Sequence, residues 1–191
     1  MRTFPGLDKD KLEQFRTIAN RNPKDITLDL EARTIWDGHA VGHEGRIGPW
    51  TIGGKRSDSA TRDYRTEFGM WKEVEETLGI PSPRDRTEAM EAALMGLASC
   101  VNTAICLVSA REGINFNGLE VTAKVRVDPR LLFGFVEPDQ ANDCLQSIDV
   151  DIKVDGDLTD AQRQRIREMA DYSPVHLMVK QANTINTRLA G

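Results

Sequence analysis

The sequence predicts an α+β fold with a mainly antiparallel sheet, and three observations predict it. Residues 119–127, LEVTAKVRV, alternate apolar and polar positions, as do residues 147–154, SIDVDIKV, so two half-buried strands follow one another. Residues 92–110 contain no Asp, Glu, Lys, Arg or His, which marks a long helix that is apolar on every side. Strands and helices come in separate runs, the pattern of α+β architecture.

In chain order, Asp8 or Asp10 can cap a short helix whose Leu12, Phe15, Ile18 and Ala19 share one face, with the stretch NRNP at Asn20 to Pro23 as its stop. Residues 1–25 read as an N-terminal helical extension and residues 26–191 as the main domain. Ile26 to Trp36 alternates well enough for a strand, and the Gly-rich stretch after it suggests turns and a second strand. Polar residues 56–66 read as a loop entering a strand. Trp71, Val74 and Leu78 are at helical spacing before Gly79. Thr87 can cap the charge-free helix and Gly113 can stop it, giving a helix over 87–112 that is roughly 39 Å long. Leu119, Val121, Ala123, Val125 and Val127 form the inner face of the next strand. After a Pro- and Asp-containing excursion over 128–145, Ile148, Val150, Ile152 and Val154 form the inner face of its successor. Thr159 and Gln162 make a capping box for a helix with Ile166, Met169 and Ala170 inward. YSPV at Tyr172 to Val175 breaks that helix, and the last segment starts helical and finishes extended.

Composition removes several functional classes. A net charge of -5 with no Lys or Arg cluster beyond pairs excludes the electrostatic footprint of a nucleic-acid binder. The N-terminus has no apolar secretory stretch, so a cytoplasmic location is expected, and three cysteines make no disulfide framework. The nineteen uncharged residues from Ala92 to Ala110 meet the length test for a membrane span. Gly96, Ser99, Asn102, Thr103 and Ser109 interrupt them, and neither end carries Trp or Tyr, so a soluble core helix is expected. One domain of this size can hardly cover such a helix on all sides, which points to burial against a second copy in a homodimer.

EAALMGLASC, Glu91 to Cys100, together with YSPV and the order of elements, resembles the OsmC/Ohr family of thiol-dependent hydroperoxide reductases. The resemblance runs from about residue 26 to the C-terminus. It implies an intertwined homodimer in which the long helices are enclosed by sheets from both copies. It also implies a site shared across the interface, made of an attacking Cys, a resolving Cys, an Arg and a Glu. Cys100 matches the attacking position. Arg46, in EGRIG, matches the Arg, with Arg62 and Arg65 as competitors. Glu91 stands nine residues before Cys100, whereas the reductases carry their Glu ten before, where this chain has Met90. Ser173 stands in the place of the resolving Cys.

Hydroperoxide reduction needs a thiolate to attack the distal oxygen, a cation to lower the thiol pKa and steady the leaving alkoxide, and a carboxylate to hold the cation. Nine helical residues turn about 180° and rise about 13.5 Å, so Glu91 reaches Cys100 only indirectly. Six residues rise about 9 Å, beyond the roughly 7 Å limit for a disulfide, which excludes Cys106 as a resolving partner in the same chain. Cys144 lies in a loop, and an external low-molecular thiol is the other route. No cofactor or metal is expected: His39 and His43 lie beside Gly38 and Gly42 in a loop, and Asp149 and Asp151 read as a solvated strand face. Each candidate has a plainer role beside the chemical one. Cys100 suits a packed helix, Glu91 a first-turn acid, Arg46 a solvated turn and SPV a helix break. Two functions compete: thiol-dependent reduction of organic hydroperoxides, and an OsmC-fold dimer without peroxidase activity that binds a small apolar ligand. A purely structural or interaction role is the third.

Overall fold

The computed structural model describes residues 4–56, 62–181 and 183–189. It divides into two compact units, Asp8–Ala93 and the combination of Met1–Leu7 with Leu94–Gly191.

In the first unit, helix α1 (Lys9–Arg21) starts at Asp8, whose carboxylate accepts from the backbone N–H groups of Asp10 and Lys11. On its apolar face Phe15 and Ile18 are about half exposed, while Leu12 and Ala19 are partly buried. The expected strand over 26–36 is two short ones, β1 (Leu28–Asp29) and β2 (Ala32–Trp36), preceded by a 3₁₀ turn at Pro23–Ile26. Leu30 and Glu31 separate them, and the two strands enter different sheets. β1, β4 (Thr51–Ile52) and β5 (Lys55–Arg56) form one antiparallel sheet with β4 in the middle. β2, β3 (His43–Ile47) and β6 (Tyr64–Phe68) form another with β3 in the middle. Part of the polar 56–66 loop, residues 57–61, lies outside the described residues. Helix α2 (Lys72–Thr77) is one and a half turns long.

Helix α3 (Ala89–Glu112) begins two residues later than the sequence suggests and is stopped, as expected, at Gly113 with φ 72°. It is long and apolar enough to cross a bilayer by length and composition. In the second unit, however, its Leu97, Val101, Ile105 and Val108 are core residues. They cluster with Ile114, Ile166 and Met169 and pack on the inner faces of β7 (Gly118–Lys124) and β8 (Asp149–Asp155). Each such buried side chain contributes about 1.5–3 kcal/mol. β7 and β8 pair antiparallel with Leu119, Val121 and Ala123 opposite Val154, Ile152 and Val150. Outside, Glu120 faces Lys153 at 3.6 Å. The expected strand over 119–127 ends at Lys124, and only a single bridge from Val127 to Leu145 follows, because the 128–145 excursion departs there through 3₁₀ turns. Helix α4 (Asp160–Glu168) carries the expected capping box, with Thr159 accepting from the Gln162 N–H and the Gln162 side chain accepting from that of Thr159. A 3₁₀ turn and helix α5 (Pro174–Lys180) follow, and residues 183–189 join no ladder.

Glu112, at the end of α3, is held bidentately by Arg165 of α4 at 2.6 and 2.9 Å. Hydrogen bonding from Arg165 lowers the Glu112 carboxyl to about 2, against an ordinary 4.5. A carboxyl depressed in the folded state stabilises the fold above its unfolded pKa and loses that effect as pH falls through the folded one. The second unit should therefore lose stability between roughly pH 5 and pH 2, and Arg165→Gln should flatten that part of the profile. Denaturant unfolding at stepped pH, with Arg165→Gln beside the unsubstituted chain, measures it; equal slopes would refute the assignment.

Candidate functional site

Cys100 lies midway along α3, half-buried, and within its own unit its thiol has no hydrogen-bond partner among the described residues. It sits one residue before Val101, which is fully buried, so the thiol borders the core without being sealed in it. The other two thiols are committed elsewhere. The Cys106 thiol donates to Asn102 Oδ1 at 3.6 Å, and burial pushes its pKa up, which keeps it protonated. Cys144 is buried at 4% exposure, and its backbone carbonyl accepts from the Asp128 N–H at 2.7 Å, closing the base of the excursion.

The three candidate arginines all belong to the first unit. Arg46 lies on β3, where strand alternation puts Glu44 on the same face two residues away, and the Arg46 Nε donates to the Glu44 carboxylate. Glu44 is thus the acid that holds Arg46, and the sequence reading overlooked it. The signal was present, because two charged residues of opposite sign at i and i+2 of a strand are same-face neighbours. Arg65 on β6 is held by Asp63 at 2.7 Å and lies 4.0 Å from Glu44. Its hydrogen bond lowers the Asp63 pKa. Arg62 donates to the Gly48 carbonyl at 3.0 Å, and its guanidinium lies over the Trp50 and Tyr64 rings.

Glu91 is in the first turn of α3, where a carboxylate is favoured by the helix dipole. It accepts from the Trp71 indole at 3.1 Å and from the Glu88 N–H at 3.1 Å, and these bonds lower its pKa. Within the unit that contains both residues, Glu91 and Arg46 have different partners. Ser173 is buried at 1% exposure and is the N-cap of α5, accepting from the His176 N–H at 3.1 Å with Pro174 at the first helical position. Of the expected loop histidines, His43 falls on β3, stacked on Phe68, and His39 lies beside Asp37 at 3.8 Å. The side chains of Asp149 and Asp151 are on the outer face of β8, opposite Lys124 and Thr122.

A long helix without charge over residues 92–110, packed on an antiparallel pair of strands, bearing the half-buried thiols of Cys100 and Cys106 and followed by a Ser-Pro-Val break, defines the class as an α+β domain built around a cysteine-bearing core helix. The family model described as "OsmC-like protein" matches residues 82–188, over half of the chain, and the chain belongs to that family. Its structure is similar to an OsmC-like protein from Mycoplasma pneumoniae, at 14% identity and TM-score 0.52, covering 82% of this chain and 89% of that one. It is also similar to an organic hydroperoxide resistance protein from Elizabethkingia anophelis, at 18% identity and TM-score 0.50, covering 80% and 88%. A third likeness is to an OsmC-like protein of unknown function from Vibrio cholerae, at 11% identity and TM-score 0.50, covering 80% and 94%. No curated protein matches the chain.

Proposed function

We propose that this chain reduces organic hydroperoxides, with Cys100 as the attacking thiol, as a cytoplasmic homodimer recycled by an external thiol. The observation that carries the reading is the place of Cys100, half-buried on the helix that leads the family match. The Cys100 thiolate attacks the distal oxygen of ROOH and the O–O bond breaks. Sulfur is oxidised to a sulfenic acid, and the alkoxide takes up a proton and leaves as ROH. A thiol then condenses with the sulfenic acid, releasing water and leaving a mixed disulfide, and a second thiol frees Cys100. In this reading Arg46, held by Glu44, is the cation that favours the thiolate, and Glu91, one residue after the position that carries the reductases' Glu, is the acid of α3. The exposed Met95 and Leu107 on α3 support coverage of that helix by a second copy. The test is dimedone labelling after cumene hydroperoxide. Cys100 should acquire the sulfenic-acid label within one turnover, and an unlabelled Cys100 would overturn the proposal. The use of Ser173 as a buried helix cap favours a second reading, a dimer that binds a small apolar ligand without peroxide chemistry; its outcome in the same experiment is an unlabelled Cys100.

A further inference from the structure

The first unit places three arginines directly opposite one another across a whole sheet: Arg33 on β2 faces Arg46 on β3, and Arg46 faces Arg65 on β6. Like charges directly opposite on neighbouring strands are destabilising, so this row works against the sheet that carries it. Compensation is uneven. Glu44 holds Arg46 and lies 4.0 Å from Arg65, and Asp63 holds Arg65, but among the described residues Arg33 has no ion pair or side-chain hydrogen bond. Arg33 and Arg46 line a cleft of about 490 Å³ together with Arg56, Arg62, Trp50 and Pro49. That volume is in the range of small-molecule sites and well above what a single inorganic ion needs. Arg62 is fixed from behind by the Gly48 carbonyl and lies over Trp50, so the wall is a pre-set combination of guanidinium and aromatic surface.

We infer that this cleft binds a small organic anion of two or more charges, carrying carboxylates or a phosphate. Guanidinium groups match both head groups through paired N–H donors, and a cleft lined with positive charge concentrates such anions. Arg46 is already held by Glu44, so Arg33 and Arg62 are the guanidinium groups that the wall offers to an anion, and of the two acids there, Glu31 and Asp63, Asp63 is itself held by Arg65. The chain's net charge of -5 opposes a nucleic-acid strand and leaves a small molecule as the occupant. The inference stands on Arg33 and Arg62; Arg46, the cation proposed for Cys100, borders the cleft, but the anion binding and its test do not depend on peroxide chemistry.

Calorimetric titration of the full chain with citrate and with pyrophosphate, at low ionic strength, tests it. At least one should bind with one-to-one stoichiometry and raise the melting temperature, and the comparison separates a carboxylate from a phosphate ligand. Arg33→Gln and Arg62→Gln should each weaken that binding by about tenfold or more, whereas Arg16→Gln, on α1, should leave it unchanged. Without anion, Arg33→Gln should melt no lower than the unsubstituted chain, because it removes a like-charge neighbour of Arg46. Absence of binding by both anions, unchanged binding in Arg33→Gln, or an oligonucleotide binding as tightly as either anion would overturn the inference. So would a lower melting temperature of Arg33→Gln without anion, which would make Arg33 a structural residue.

Discussion

Arg86→Leu should destabilise the first unit by about 3–5 kcal/mol, the largest loss expected from any single exchange there. The reason is Glu75, an acid on α2 that is 1% exposed. Its carboxylate accepts from the Arg84 N–H at 2.9 Å and from Arg86 Nη1 at 3.3 Å, and Arg86 also reaches Asp37 at 3.8 Å. Without Arg86 the carboxylate keeps one backbone donor in a water-poor site. The surroundings are shaped for the guanidinium. A Cβ at Gly69 would lie 2.7 Å from Arg86 Cδ, and one at Gly42 would press first on the Asp37 carboxylate and then, at 2.9 Å, on Arg86 Nη1, so a larger residue at either position disturbs the pairing of Arg86. Replacing both charges, as Glu75→Leu with Arg86→Leu, should recover much of the loss, since a buried pair exchanged for apolar groups of similar volume is often close to neutral. Hydrogen exchange of the β3 and β6 amides, read beside denaturant unfolding, measures both effects. A single variant as stable as the unsubstituted chain would show the pair to be idle.

That network also marks where the sequence ceased to be legible. Trp71, Val74 and Leu78 have the spacing of an inward helical face, yet Leu78 is 50% exposed and the buried residue of α2 is Glu75. Periodicity puts acids outside by default, and nothing local announces a partner eleven positions away. By contrast, β7 and β8 were legible because each has one face on the core and one in solvent, which forces a period of two into the residues. The capping box at Thr159 and the stop at Gly113 were legible because both are short-range devices. The site follows the same division. Cys100 is singled out by its helix motif as a candidate, and Glu44, the partner of Arg46, was within reach of simple alternation. The arginine row was not, because strand register is a tertiary fact that no single strand carries.

Without added thiol, the unsubstituted chain should consume about one hydroperoxide per subunit and then stop, whereas Cys100→Ser should consume none. The limit follows from what surrounds the thiol. Condensation of the sulfenic acid needs a second sulfur, and the position after Tyr172 holds Ser173, whose hydroxyl cannot form a disulfide and is already occupied as the cap of α5. Cys106 is held as a thiol by burial and its contact with Asn102, and it stands six residues along the same helix, too far for a bridge in one chain. Cys144 is buried at the base of the excursion. Cys106→Ser and Cys144→Ser should therefore leave the single equivalent intact, and a dithiol should convert it to continuous turnover. A peroxide-consumption assay with and without dithiothreitol separates the cases. Sustained turnover without thiol would mean that a resolving sulfur exists within the protein, and consumption by Cys100→Ser at the unsubstituted rate would remove Cys100 from the chemistry altogether.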